Sequence, residues 1–370
     1  MAVSSFFRDL SRNPRMRRFG RSLERGAKRV LTRLLDGLLP VPPNEPLSAV
    51  GEPRRVLLVR PNFRIGNTLI TAPLIAALQA RFPSARLDYL GADTTDVLLR
   101  HFPIDRTYCI SRRFILRPWE LLGLLRRIRR ERYDVAIDAG MGSTSGGFYT
   151  YVTGASHRIG VDGAGQRFLT TRLPPPQVSH AYDGPVAFSI ALGAPCQDYP
   201  AYVVSADERA DALGTLAGVG LADGTTLTAF VALSISGHKD KRLSPQFWID
   251  LATRLAAAGG RVLVLAGPEE VPLLPRLRHE LPTGAVVLEP QPLRRFAAVL
   301  SYASIVVAPD SGPLHLSVAV GVPTIAVLIA AGSRNYAPRG PDDRVVFPAT
   351  AAAAADTVLA HPRWGEVLRS

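Results

Sequence analysis

The sequence is poor in cysteine. Its 370 residues hold two, Cys109 and Cys196. They stand far apart and at no metal or redox spacing. No disulfide framework is expected, and a reducing compartment is the simplest reading. Long apolar runs are also missing. None approaches the roughly 18 residues of a membrane span, and "TIAVLIAAG" (324–332) is the length of one buried strand. Arginines interrupt every candidate apolar core near the N-terminus, so no signal peptide is expected. There is no acidic metal cluster, no P-loop lysine and no dinucleotide fingerprint. The last absence argues against a nicotinamide-dependent oxidoreductase.

The chain is 47% hydrophobic and 20% charged, enough for a sizeable core. The length points to about two domains plus an extension. The net charge of +13 is unevenly placed. Residues 1–40 hold ten Lys/Arg against Asp9, Glu24 and Asp36, about +7. "RRFILRPWELLGLLRRIRRER" (112–132) holds eight arginines against Glu120 and Glu131, about +6. The remainder is near neutral, so an anionic surface is the expected partner. In residues 15–39, Met16, Phe19, Leu23, Val30, Leu31, Leu34, Leu35 and Leu38 recur at helical spacing among arginines. A basic amphipathic helix suits a membrane surface; a solvated arm is the plainer alternative. The arginines lack interleaved aromatics, so no nucleic-acid partner is expected.

From residue 54 short apolar strands alternate with helices. "RRVLLVR", "ARLDYLG", "RTYCI" and "DVAIDAG" read as strands of a parallel sheet covered on both faces. A Pro- and Gly-rich stretch including "RLPPPQ" and "LGAPCQDYP" reads as irregular connection. The rhythm then restarts with "LTAFVALSI", "RVLVLAG", "AVVLE", "SIVVAPD" and "TIAVLI". The expected fold is α/β: two doubly wound Rossmann-like domains facing one cleft. We place an extension at 1–52, a first Rossmann-like domain at 53–200, a second at 201–348, and a helix returning to the first domain at 349–370.

Ligands bind such sheets outside the strands' carboxyl ends, which directs attention to five junctions. In "VVAPDSGPLHLSVAVGVPTIAV" (306–327) a strand ends at Asp310, Ser311 suits an N-cap and Pro313 a first helical position. The helix start, with Gly312, makes an anion site. Asp310 could accept sugar hydroxyls, and His315 lies in the first turn. "SISGHKDKRLSPQFW" (234–248) brings His238, Lys239, Lys241 and Arg242 to a strand end, where they could meet a diphosphate. "LAGPEE" (265–270) offers Glu269 to ribose hydroxyls. "DAGMGSTSGG" (138–147) reads as a flexible loop with Asp138 at its root. "LLVRPNFRIGNTLI" (57–70) offers Asn62, Arg64, Gly66 and Asn67, with Arg64 and Gly66 as acceptor-binding candidates.

Together "RIGNTLITAPLIAAL", "YDVAIDAG", "KRLSP" and "DSGPLHLSVAVGVPTIAV" resemble glycosyltransferase family 9, the ADP-heptose:lipopolysaccharide heptosyltransferases. The resemblance spans about residues 54–345. It implies a GT-B fold and an inverting, metal-independent transfer with no cofactor beyond the nucleotide-sugar, ADP-heptose. It implies an anionic lipid-linked glycan as acceptor, at the inner face of a bacterial inner membrane, with residues 1–40 and 112–132 on the bilayer. Lys241 would hold the donor phosphates, Glu269 the ribose and Asp310 the sugar, with Ser311, Gly312 and His315 against the diphosphate. Most family members carry Asp, the expected base, where this chain has Asn67. An amide has no useful titration and cannot be a general base. Asp138 is the expected substitute, since the first and fourth strands of such a sheet are neighbours. Asp93 is the weaker candidate, one strand further away. A non-catalytic relative that binds nucleotide-sugar or glycan is the alternative.

Overall fold

The computed structural model describes residues 40–115, 117–224, 226–237 and 240–369. The amphipathic arm (1–39) and His238 and Lys239 lie outside them. In the first half, β1 (Arg55–Val59) leads into α1 (Ile65–Thr71) and α2 (Pro73–Arg81). Next come β2 (Arg86–Ala92), α3 (Thr95–Leu98), β3 (Arg106–Ile110) and α4 (Pro118–Arg130). They are followed by β4 (Val135–Asp138), α5 (Thr144–Val152), β5 (His157–Val161), β6 (Thr171–Leu173) and α6 (Asp183–Ala191). The six strands form one parallel sheet in the order β3-β2-β1-β4-β5-β6. Four of the five residues of β1 are buried, as its apolar run requires. Neighbouring β1 and β4 align Val59 with Asp138.

The second half opens with α7 (Ala206–Ala217), whose Ser205 and Glu208 form a capping box. A short antiparallel pair follows, β7 (Ala222–Asp223) and β8 (Thr226–Leu227). Then come β9 (Val231–Ser234), α8 (Pro245–Ala257), β10 (Val262–Leu265), α9 (Leu274–Glu280), β11 (Ala285–Leu288) and α10 (Leu293–Leu300). The chain continues through β12 (Ile305–Ala308), α11 (Gly312–Ala319), β13 (Thr324–Val327), β14 (Arg344–Val346), α12 (Ala351–Leu359) and α13 (Trp364–Leu368). The second sheet repeats the first, as β11-β10-β9-β12-β13-β14.

Three readings change. The final helices do not return to the first half: Ala354, Ala355, Val358, Trp364 and Val367 join the core of the second sheet. The Trp364 ring lies so close to Gly260 that a Cβ there would sit 2.2 Å from it. "DAGMGSTSGG" is only partly a loop: Ser143 caps α5 by accepting the Gly146 N–H, so Gly146 and Gly147 are helical. The irregular stretch contains β6 and α6, which its prolines conceal.

The halves also pack on each other. One core cluster joins Leu58, Leu69 and Leu74 with Leu265, Leu314 and Leu316. At its seam α1 crosses α11. A Cβ on Gly66 would lie 2.3 Å from the His315 ring, and one on Gly312 would lie 3.4 Å from Ile65. These two glycines let the helix starts approach.

Candidate active site

The two halves are tied across their seam by one backbone hydrogen bond and one histidine ring. The Ala181 N–H donates to the Asn335 carbonyl at 2.8 Å. The His180 ring bridges the same seam. Its Nδ1 accepts the Tyr182 N–H at 3.2 Å, so Nε2 carries the proton and donates to the Ala337 carbonyl at 2.8 Å. Arg339 pairs with Asp183 and lies 5.6 Å from the Tyr182 ring. These contacts hold Tyr182, which is buried, and Tyr336 at the seam between the halves.

On the second-half wall, Lys241 is ion-paired with Asp310, and its ammonium is 5.9 Å from the Tyr336 ring centre. Asp310 ends the turn after β12 with its side chain only 9% exposed. A carboxylate so placed is tolerated because Lys241 faces it. Ser311 takes the N-cap position in an extended conformation, but its hydroxyl makes no cap bond. That oxygen is buried without a partner. Beside the free N–H groups of α11 it suits an anion.

His315 is buried, and burial pulls its pKa down to about 4, against the pull of Asp310. The neutral ring meets Tyr182 and Tyr336 edge-on, with Nδ1 3.3 Å from the Tyr182 hydroxyl. Below it lies Gly66. Gly66 packs directly against the His315 ring, where a Cβ would not fit. Gly312 likewise packs, against Ile65.

The two glutamates after β10 divide. Glu269 is mostly exposed and accepts from Arg242 at 2.8 Å. Glu270 is buried, accepting from the Ser236 hydroxyl at 2.8 Å and the Gly267 N–H at 3.2 Å. Glu270 is thus the structural acid, which leaves Glu269 the one facing solvent.

On the first-half wall, Arg64 is exposed at the start of α1, where its N–H donates to the Asn62 side chain at 2.8 Å. Asn67 lies one turn inside α1, not at the loop apex. Its side-chain amide takes no hydrogen bond among the described residues. Asp93 is exposed and leans toward the Arg112 N–H.

Asp138 sits beside β1 as its strand order requires, yet it does not open onto the crevice. It is wholly enclosed. Oδ1 accepts the Gly140 N–H at 2.7 Å, and a Cβ on Gly146 would lie 2.1 Å from the same oxygen. Burial pushes its pKa from 3.8 up to about 7, and the Gly140 bond and Arg60 offset only part of that. Its Oδ2 has no partner. The carboxyl has the titration of a base near neutrality but, in this conformation, no path to an acceptor hydroxyl. Its raised pKa is a consequence of the glycines that let α5 close over it.

Arg60, at the end of β1, belongs to this wall too. Burial lowers its pKa, while Tyr89, Asp138 and Tyr336 push it back up. Sequence reading missed Arg60, His180, Tyr182 and Tyr336. A charged residue ending an apolar parallel strand was the available signal for Arg60. The other three sit in irregular segments without periodicity.

The family model for glycosyltransferase family 9 (heptosyltransferase) matches residues 121–357, more than half of the sequence. The chain belongs to glycosyltransferase family 9. Similar solved structures carry the same two-domain GT-B architecture. A family 9 glycosyl transferase from Veillonella parvula DSM 2008 superposes with TM-score 0.66 at 18% identity, over 79% of this chain and 85% of that one. E. coli heptosyltransferase WaaC with ADP superposes with TM-score 0.63 at 20% identity, over 85% and 100%. E. coli ADP-heptose lps heptosyltransferase II gives 0.63 at 18%, over 82% and 97%. No curated protein matches by sequence. Among the described residues of this family 9 chain, no group of His, Cys, Asp and Glu could hold a metal ion. No described helix is long and apolar enough to cross a membrane.

Proposed function

We propose that this glycosyltransferase moves a sugar, heptose by family resemblance, from a nucleoside diphosphate to an anionic lipid-linked glycan, with inversion. The observation that carries the reading is the Lys241–Asp310 pair beside the unpartnered Ser311 hydroxyl at the start of α11. An incoming diphosphate would take the Lys241 ammonium and the α11 N–H groups. That exchange frees Asp310 for the sugar hydroxyls. Glu269, the solvent-facing acid, would take the ribose. ADP is the expected nucleotide, since the E. coli relative WaaC is known with ADP and with ADP-2-deoxy-2-fluoro heptose.

The acceptor would enter from the Arg64 side, with the Asn67 amide positioning its hydroxyl. The acceptor oxygen forms a bond to the anomeric carbon as the carbon–oxygen bond to the diphosphate breaks. The hydroxyl proton passes to Asp138 Oδ2, and the nucleoside diphosphate leaves. This step requires the turn at 139–143 to lift off Asp138. Met141 and Gly142 hold left-handed conformations in that turn, with φ of 52° and 77°. Positive charge from Lys241 and α11 replaces a metal in this scheme, so a chelator should leave transfer unchanged. We place the reaction at the cytoplasmic face of the inner membrane.

A second reading has its own observation. Asn67 cannot titrate and Asp138 has no exposed atom, as expected of a relative that binds nucleotide-sugar without transferring it. Calorimetry with ADP, followed by mass analysis of turnover on membrane-derived acceptors, separates the two. Lys241→Ala and Asp310→Ala should each weaken donor binding by more than about tenfold, ~1.4 kcal/mol, the scale of a lost charge-assisted hydrogen bond. Unchanged donor affinity in both variants removes them from the site. Donor binding without any transfer, with transfer gained in Asn67→Asp, would establish the binding relative.

A further inference from the structure

We propose that the outer face of α4 docks on an anionic bilayer, with Trp119 and Leu122 entering its apolar layer and the surrounding arginines holding phosphate headgroups. Leu124 and Ile128, one turn apart, point α4 into the core with Tyr108 and Tyr133. On the opposite face, Trp119, Leu122, Arg126 and Arg130 follow at i, i+3, i+7 and i+11, one stripe of a helix. Trp119 is 64% exposed and Leu122 51%. Two large apolar side chains in water at one helix start, flanked by cations, have the composition of an interfacial helix rather than a plain solvated one.

The cations are available. Arg113, Arg126, Arg127 and Arg130 are exposed and have no ion-pair partner among the described residues. Among the described residues Glu120 pairs with Arg117 alone, and Glu131 is turned to Arg55, Arg86 and Arg106. The face also connects to the cleft. The Arg112 guanidinium lies 4.9 Å from the ring of Phe63, itself 37% exposed in the loop between β1 and α1. Arg64 and Asn67 follow directly along the chain. Docking α4 would therefore set the acceptor side of the cleft against the headgroup layer, where a lipid-linked glycan begins. This purpose rests on the function proposed above; the docking itself does not.

Tryptophan fluorescence tests it without any donor or acceptor. The chain has three tryptophans. Trp248 is 1% exposed and Trp364 7%, both in the second core, so environmental changes report on Trp119. Full-length protein is mixed with phosphatidylglycerol/phosphatidylcholine vesicles with and without brominated acyl chains. Blue-shifted emission and quenching by bromine are expected, both absent in Trp119→Phe. Combined Trp119→Ser and Leu122→Ser should lower vesicle partition about tenfold while circular dichroism and melting stay unchanged. Arg126→Glu with Arg130→Glu should also lower it, and 0.5 M salt should weaken wild-type binding, because surface charge is screened. Sedimentation with vesicles while Trp119 emission stays unshifted and unquenched would place docking elsewhere and overturn the proposal. So would no vesicle binding, or a Trp119 response to a single-stranded RNA but not to vesicles.

Discussion

Asp138→Asn separates what the buried carboxyl does for stability from what it does for chemistry. Its pKa is about 7 in the fold against an ordinary 3.8. A carboxyl raised in this way contributes its full stability below about pH 4 and loses it as pH climbs to about 7. The gap between the two values corresponds to ~4 kcal/mol lost between those limits, at 1.36 kcal/mol per pH unit. Asparagine is isosteric with the neutral acid and its oxygen can keep the Gly140 N–H bond. Its NH2 would occupy the Oδ2 position, which has no partner, at a cost of ~1–3 kcal/mol independent of pH. The variant should therefore be less stable than wild type near pH 4 and more stable by ~1–3 kcal/mol at pH 8. Urea unfolding followed by circular dichroism between pH 4 and 8.5 measures both curves. Parallel curves would refute the ionisation argument outright. In the same variant, transfer should fall by about 10² or more, the scale of general base catalysis, with donor affinity unchanged. Stability gained where activity is lost is the usual sign of a strained functional group. Retained transfer would leave Asp138 a structural carboxyl only.

Three further outcomes follow from packing and charge. Gly66→Ala places a Cβ 2.3 Å from His315 and should destabilise by ~1–3 kcal/mol, as overpacking does; thermal melts of Gly66→Ala, His315→Ala and the double variant should show less than additive loss. Arg294 donates to Glu208 at 2.6 Å and to the Val97 carbonyl of the first half at 3.1 Å, and it holds the Glu208 pKa down to about 2. Arg294→Ala should cost about 1–3 kcal/mol, because Glu208 keeps the Ser205 N–H, and the stability that wild type loses as pH falls from about 4.5 toward 2 should shrink in acid titration. Removing residues 1–50 should lower the melting temperature below that of a chain lacking only residues 1–39. The longer cut deletes the Pro42 carbonyl that accepts from Arg172 at 2.9 Å and the Glu45 N–H bonded to Thr170 at 2.8 Å; equal melts for both truncations would contradict this.

The alternation of apolar strands and helices determined the architecture without coordinates. Strands buried on both faces must be nearly all apolar, so "RVLLV", "VLVL" and "IVVA" announce a parallel sheet, and its handed crossovers leave few possible orders. The resemblance in "DSGPLHLSVAVGVPTIAV" likewise marked the start of α11, because an anion site needs a strand end and a helix N-terminus in one short stretch. Where a side chain finally points was another matter. Glu269 and Glu270 are adjacent in sequence, yet only packing decides that one faces solvent and the other closes on Ser236. Strand order correctly placed Asp138 beside the end of β1, opposite Val59. It could not show that Gly140, Gly146 and Gly160 let the chain close over the carboxyl, since burial is a property of the assembled layers. Nor could it show that Gly66 and His315 serve each other across the seam, or that His180, Tyr182 and Tyr336 converge there. The contacts across the seam join residues more than a hundred positions apart, and local period carries no information about such pairs.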